Sequence, residues 1–151
     1  MDDFDRKILI ELQRNPDLSA AAVAERVGLS HTPCWRRIRK LEEDGTIAGR
    51  ALLLDRKALG LSADVFAEIR LKNHDEDTLT LFEQAVRARS EIINCFSMSG
   101  ERDYLMHIVV ADIAAYETFL KKVLLHLPGV GAVNSSFALG CVKSTTRLPL
   151  E

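Results

Sequence analysis

Leu29-Ser30-His31-Thr32-Pro33-Cys34-Trp35-Arg36-Arg37-Ile38-Arg39-Lys40-Leu41-Glu42-Glu43-Asp44-Gly45 reads as one capped helix with two unlike faces. Ser30 is a good N-cap, and Pro33 lies in the first turn, where a missing N–H costs little. Cys34, Ile38 and Leu41 recur at i, i+4, i+7 and form an apolar stripe. At 100° per residue the opposite face carries Thr32, Arg36, Arg39 and Glu43, flanked by Trp35, Arg37 and Lys40. Asp44-Gly45 ends the helix.

Two further helices precede it. Phe4, Ile8 and Leu12 share one face of a helix from about Asp2 to Arg14, which Asn15-Pro16-Asp17 ends because the residue before proline is driven out of helical geometry. Ser19 caps a shorter helix with Ala20, Val23, Ala24 and Val27 buried, and Gly28 suits a left-handed C-cap. A helix, a tight glycine turn and a second helix make a helix-turn-helix, whose second helix enters the major groove with its N-terminal half against base edges. That half offers His31, Thr32, Trp35 and Arg36. Arginine reads guanine with two hydrogen bonds, and Thr32 suits a thymine methyl. Arg39 and Lys40 lie further along, where phosphates are nearer. Ile47 to Leu54 suggests a hairpin around Gly49, a wing with Arg50 at its tip. The same helix–glycine–helix pattern also serves as a plain packing hairpin, and Trp35 also suits a core.

Composition agrees with a soluble, folded protein: 47% apolar and 28% charged residues over 151 positions. The net charge of −2 excludes a wholly basic nucleic-acid coat. Its distribution is uneven, with 11 Lys/Arg against 10 Asp/Glu in residues 1–57 and 9 against 12 in the remainder. No apolar run approaches a membrane span, and the acidic start is not a signal peptide, so the expected location is the cytoplasm, associated with the nucleoid. Cys34, Cys95 and Cys141 form no C-x-x-C, and the histidines are scattered, so neither a metal nor a cofactor is expected. Cys34 and Cys95 read as small core residues, and His107 as a strand-face residue.

Residues 55–61 read as a short linker between domains at 1–54 and 62–151. The second begins with alternation at Val65, Ala67, Ile69 and Leu71, a strand over 64–72. A helix follows over 76–89 (Leu79, Phe82, Val86), then strands over 92–98 and 104–110, the latter apolar enough to be covered on both faces. A second helix capped by Asp112 carries Tyr116, Phe119, Leu120, Val123 and Leu127 up to Pro128-Gly129. A last strand runs over 130–142. The β-α-β-β-α-β order is that of a ferredoxin-like α+β domain with both helices on one sheet face. The other face, with Leu105, Val109 and Phe137 depending on register, predicts a two-fold dimer.

The stretch over 29–45 closely resembles the leucine-responsive/asparagine-regulator (Lrp/AsnC) family. The similarity extends through Phe4-Asp5-Arg6-Lys7-Ile8-Leu9, Ser99-Gly100-Glu101-Arg102-Asp103-Tyr104-Leu105, Leu127-Pro128-Gly129-Val130, Ser135-Ser136-Phe137 and Val142-Lys143-Ser144-Thr145-Thr146. The resemblance implies a winged helix-turn-helix joined to a ferredoxin-like effector-binding (RAM) domain. It implies dimers that often assemble into octamers, double-stranded DNA as partner, and an amino-acid effector held between dimers near the turn joining the second and third strands. By alignment the pocket would draw on Ser97, Met98, Gly100, Asp103, Tyr104, Ser136, Phe137 and Ala138. Asp103 suits an amino group, and backbone N–H groups around Gly100 suit a carboxylate. The alternative for the loop is structural: Gly100 serves the hairpin, and Asp103 caps it or pairs with Arg102. The expected function is an amino-acid-responsive transcriptional regulator. The competing reading is an architectural DNA-binding protein with no effector. An enzyme is not expected, since no nucleophile–base pair, metal cluster or phosphate loop is present.

Overall fold

The computed structural model describes residues 1–150. The chain forms two compact units. One is Met1–Leu53 joined by the C-terminal segment that begins at Lys143, and the other is Leu54–Val142.

In the first unit, α1 spans Asp3–Arg14, α2 Ala20–Val27 and α3 His31–Glu43. Each boundary has a local cause. The Asp2 carboxylate accepts the Asp5 N–H, and Asp5 reciprocates with the Asp2 N–H, closing a capping box at α1. Asn15 leaves α1 in extended geometry ahead of Pro16. Ser19 Oγ accepts the Ala22 N–H to start α2, and Gly28, at φ +73°, ends it in the left-handed region. Ser30 stands at the N-cap of α3, though its hydroxyl makes no cap bond. The buried sides of the three helices meet in one core of Ile8, Leu9, Leu12, Val23, Ala24, Val27, Cys34, Ile38 and Leu41. Each large aliphatic buried there stabilises the unit by about 1.5–3 kcal/mol.

Two expectations for this region change. Residues 47–54 do not form a hairpin. Ile47 N–H donates to Leu41 O at 2.8 Å, but the chain beyond makes no strand pairing, and Leu52, Leu53 and Leu54 stand 85%, 78% and 62% exposed. An extended segment without a partner strand has no ladder bonds to hold it as a hairpin. The domain expected over 62–151 also ends sooner. The tail from Lys143 packs with the helices: Leu148 exchanges bonds with the Gln13 amide (3.4 and 2.6 Å), and Leu150 rests on the helical core.

In the second unit, residues 55–61 are not slack. Asp55 Oδ1 accepts the Lys57 N–H, Leu61 N–H donates to Arg56 O, and Gly60 turns the chain at φ +73°. Then come β1 (Ala63–Leu71), α4 (Glu76–Arg87), β2 (Ile92–Ser97), β3 (Tyr104–Val110), α5 (Ile113–Lys122), a 3₁₀ turn (Leu124–His126) and β4 (Val130–Phe137). All pairings are antiparallel in the order β2-β3-β1-β4, the ferredoxin-like arrangement. Val65, Ala67, Ile69 and Leu71 face α4 and α5, together with Tyr104, Met106, Ile108 and Val110 of β3.

The structure corrects four details of this half. α5 ends at Lys122, and the chain tightens into a 3₁₀ turn that buries Leu124 completely. β4 stops at Phe137, because beyond the Ala138 N–H to Asp64 O bond it has passed the end of β1; Leu139 and Val142 are fully exposed. β3 is not covered on both faces along its length, since Leu105 and His107 are only half-buried. Phe137 pairs with Val65, and its ring meets Tyr116 of α5 edge-on at 5.3 Å, so it belongs to the helix side of the sheet. The open face instead presents Phe66, Phe96 and Leu105, with His107 stacked on Phe66 at 4.7 Å, while Val109 on the same face is already buried. There His107 Nε2 bonds the Asp64 carboxylate at 2.7 Å, and Arg56 pairs with the same group.

Candidate nucleic-acid interface and effector site

The inner side of α3 is closed by Cys34, Ile38 and Leu41, so the helix cannot rotate without exposing all three. Its outer side is thereby fixed, and His31, Thr32, Trp35, Arg36, Arg39 and Lys40 are all exposed. Trp35, at 48% exposure, is not a core residue.

The basic residues divide by what they already hold. Arg37 is committed: its Nη1 donates to Asp2 at 2.6 Å and to Asp5 at 2.7 Å, tying α3 to the start of α1. The Asp5 N–H above all, and then Arg37, hold the Asp2 carboxyl below the usual carboxylate range. Arg39 lies 5.7 Å from the Trp35 ring and 3.8 Å from Glu42. Arg50 reaches Glu42 at 3.5 Å. Arg36 and Lys40 make no ion pair among the described residues and can take up an anion without first losing a partner.

The expected effector residues fall into two groups. Ser97 ends β2, Met98 follows it, and Gly100 turns the chain at φ +111° before Asp103. Met98 N–H donates to Asp103 O, and Asp103 N–H donates to Ile69 O, both at 2.9 Å, so the turn is pinned to the far end of β1. The Asp103 side chain is itself engaged. Oδ2 accepts the Leu71 N–H at 2.7 Å, and Oδ1 bonds His74 Nε2 at 2.8 Å. The Leu71 N–H above all keeps its carboxyl below the ordinary range, against a smaller opposing effect of burial. Arg102 does not pair with Asp103; it reaches Glu68 at 3.5 Å. Tyr104 turns away from the loop into the core, where its hydroxyl donates to Glu83 at 3.1 Å and burial pushes its pKa up to about 12.

Ser136, Phe137 and Ala138 form the second group, beside Phe66, Val65 and Asp64 at the near end of β1. Asp103 and Tyr104 lie beside Ile69 and Leu71, three or more residues along the same strand. At about 3.3 Å per residue the two groups are offset by at least roughly 10 Å along β1, and they lie on opposite sides of it. Sequence reasoning missed His74. A lone histidine in a loop carries no pattern, and only the fold brings it to a carboxylate 29 positions away. No cluster of three or more potential metal ligands occurs among the described residues. None of their helices is long and apolar enough to cross a membrane.

Known proteins match both halves. Residues 1–48 match the winged helix-turn-helix DNA-binding family, and residues 64–148 match the Lrp/AsnC ligand binding domain. The chain is 40% identical over its whole length to the DNA-binding transcriptional activator DecR of Escherichia coli, covering 99% of it. It is also 40% identical to the Leucine-responsive regulatory protein of E. coli, covering 92% of it. An AsnC family transcriptional regulator from Agrobacterium tumefaciens superposes with a TM-score of 0.94 at 45% identity, over 99% of this chain and 97% of that one. The transcriptional regulator NMB0573 from Neisseria meningitidis, solved as a complex with L-Met, superposes with a TM-score of 0.95 at 37% identity, with the same coverage. These relatives are regulators and not enzymes, and a capped helix-turn-helix on a four-stranded α+β domain is their architecture: the chain belongs to the Lrp/AsnC family of DNA-binding transcriptional regulators.

Proposed function

We propose that this regulator reads double-stranded DNA with α3 and alters that binding when an amino acid occupies a site formed between copies of the chain. On the DNA side, Arg36 reads a base edge, with Thr32, His31 and Trp35 alongside it, while Arg39, Lys40 and Arg50 neutralise phosphates. The free Arg36 and Lys40 beside the committed Arg37 support this division of work.

One observation carries the effector reading. The loop at Gly100 and Asp103 and the segment Ser136–Ala138 lie on opposite sides of β1 and are offset along it, an arrangement that favours a pocket completed by a second copy. The open sheet face with Phe66, Phe96 and Leu105 gives that copy an apolar surface, from which dimers and then octamers are built. The relatives agree in kind, since one holds L-Met and another is named for leucine. The site of action is the cytoplasm, on the nucleoid.

Calorimetric titration with each of the twenty amino acids, paired with sedimentation of the same samples, tests this. The expected result is binding of one or a few amino acids only under conditions where the chain is oligomeric. Equal binding by the isolated monomer, or no binding of any amino acid, contradicts the proposal.

A further inference from the structure

His74 lies in the short loop between β1 and α4. Its backbone is tethered on both sides. Lys72 N–H donates to Gly129 O at 2.8 Å before it, and Asp75 caps α4 through the Thr78 N–H at 2.9 Å after it. The side chain, 60% exposed, is held only by its bond to Asp103 Oδ1. The other oxygen of Asp103 is engaged by the Leu71 N–H, so Oδ1 is the one a ligand would contest, and the imidazole holds it.

We propose that His74 is a specificity-determining residue of the effector site: it takes the place of a ligand's ammonium group on Asp103 Oδ1 and must be displaced when an amine-bearing effector binds. This rests on the amino-acid reading above and names the group that sets its threshold. The exchange costs little in structure, because the histidine backbone stays anchored while the ring swings into water. It discriminates between ligands, because an ammonium gives Asp103 a charge-assisted hydrogen bond in place of the imidazole's, and a ligand without a donor gives it none. A ligand without the amine would leave the pair intact and gain nothing at this oxygen.

The test is calorimetry on the full-length chain with each of the twenty amino acids, beside the deamino analogue of each one that binds (4-(methylthio)butanoate for L-methionine, 4-methylpentanoate for L-leucine). His74→Ala is expected to tighten amino-acid binding by about two- to tenfold, the range for one exposed polar contact, and to leave the analogues unchanged. His74→Gln, which keeps a donor, should fall between. In an Asp103→Asn background, which keeps an oxygen for the Leu71 N–H, the effect of His74→Ala should vanish. If wild type binds any amino acid and His74→Ala binds it equally or more weakly, the displacement proposal is overturned and the amino-acid reading survives. If wild type binds none of the twenty amino acids, both are overturned.

Discussion

Arg36 and Lys40 lie four residues apart on one exposed helix face, yet they should fail differently when truncated. Arg36 comes from the N-terminal half of α3, which meets base edges in a helix-turn-helix. It makes no ion pair among the described residues, so no internal interaction offsets what the DNA supplies. A bidentate arginine–guanine pair discriminates by about 1–3 kcal/mol, so Arg36→Ala should weaken binding to each half-site about 5- to 150-fold and flatten base preference there. Twice that free energy applies to a two-fold operator. Lys40 lies one turn on, where the proposed docking puts the phosphates. Lys40→Ala should weaken all sequences alike and lower the slope of log K against log salt by about 0.9 for each phosphate that is no longer neutralised. Fluorescence anisotropy with operator and scrambled duplexes at four salt concentrations separates the two. Unchanged operator affinity in Arg36→Ala, with thermal unfolding also unchanged, would refute the placement of α3 in the groove.

Gly129 has φ +74°, and a Cβ there would meet Thr78 Cγ2 at 2.3 Å. Gly129→Ala should therefore cost about 2 kcal/mol or more, and adding Thr78→Ser, which removes that methyl but keeps the hydroxyl bonded to Asp75, should restore part of it in urea unfolding. The Asp103 carboxyl is held below its unfolded value, so its contribution is present above about pH 4 and is lost as pH falls through the folded pKa. Asp103→Asn should flatten that acid limb of stability, and a limb as steep as in wild type would assign it to another group. The thiols should react with a disulfide reagent in three steps. Exposed Cys141 comes first. Half-buried Cys95, its pKa pushed up to about 11 by burial, follows slowly, and Cys34 reacts only on unfolding. Fast reaction of Cys34 would contradict the packing of α3.

The helical third was legible because every signal in it is local. Asp2, Ser19 and Gly28 act on backbone groups within a few residues, and the Cys34–Ile38–Leu41 stripe needs only helical spacing. The strand–helix order was legible for the same reason. What escaped depends on partners distant in sequence. Leu52–Leu54 look like half a hairpin, but no strand comes to meet them. Leu148 and Leu150 look like a trailing end, yet Leu148 bonds the Gln13 amide through its backbone and Leu150 packs on the core that begins at Ile8. The face occupied by Phe137 follows from its register with Val65, which no periodicity within β4 alone could fix. The candidate site divides in the same way. The exposed side of α3 could be read from spacing, whereas the engagement of Asp103 by Leu71 and His74, and the separation of Gly100 from Ser136, appear only once β1 stands between β3 and β4.

The most direct test of an effector-controlled DNA reader is the affinity for DNA upstream of this protein's own gene, at fixed salt, with and without each of the twenty amino acids. Tight, sequence-selective binding that one or a few amino acids shift is the predicted result. Selective binding that no amino acid moves would contradict the effector role of the second unit, and no binding to any duplex would contradict DNA reading by α3 itself.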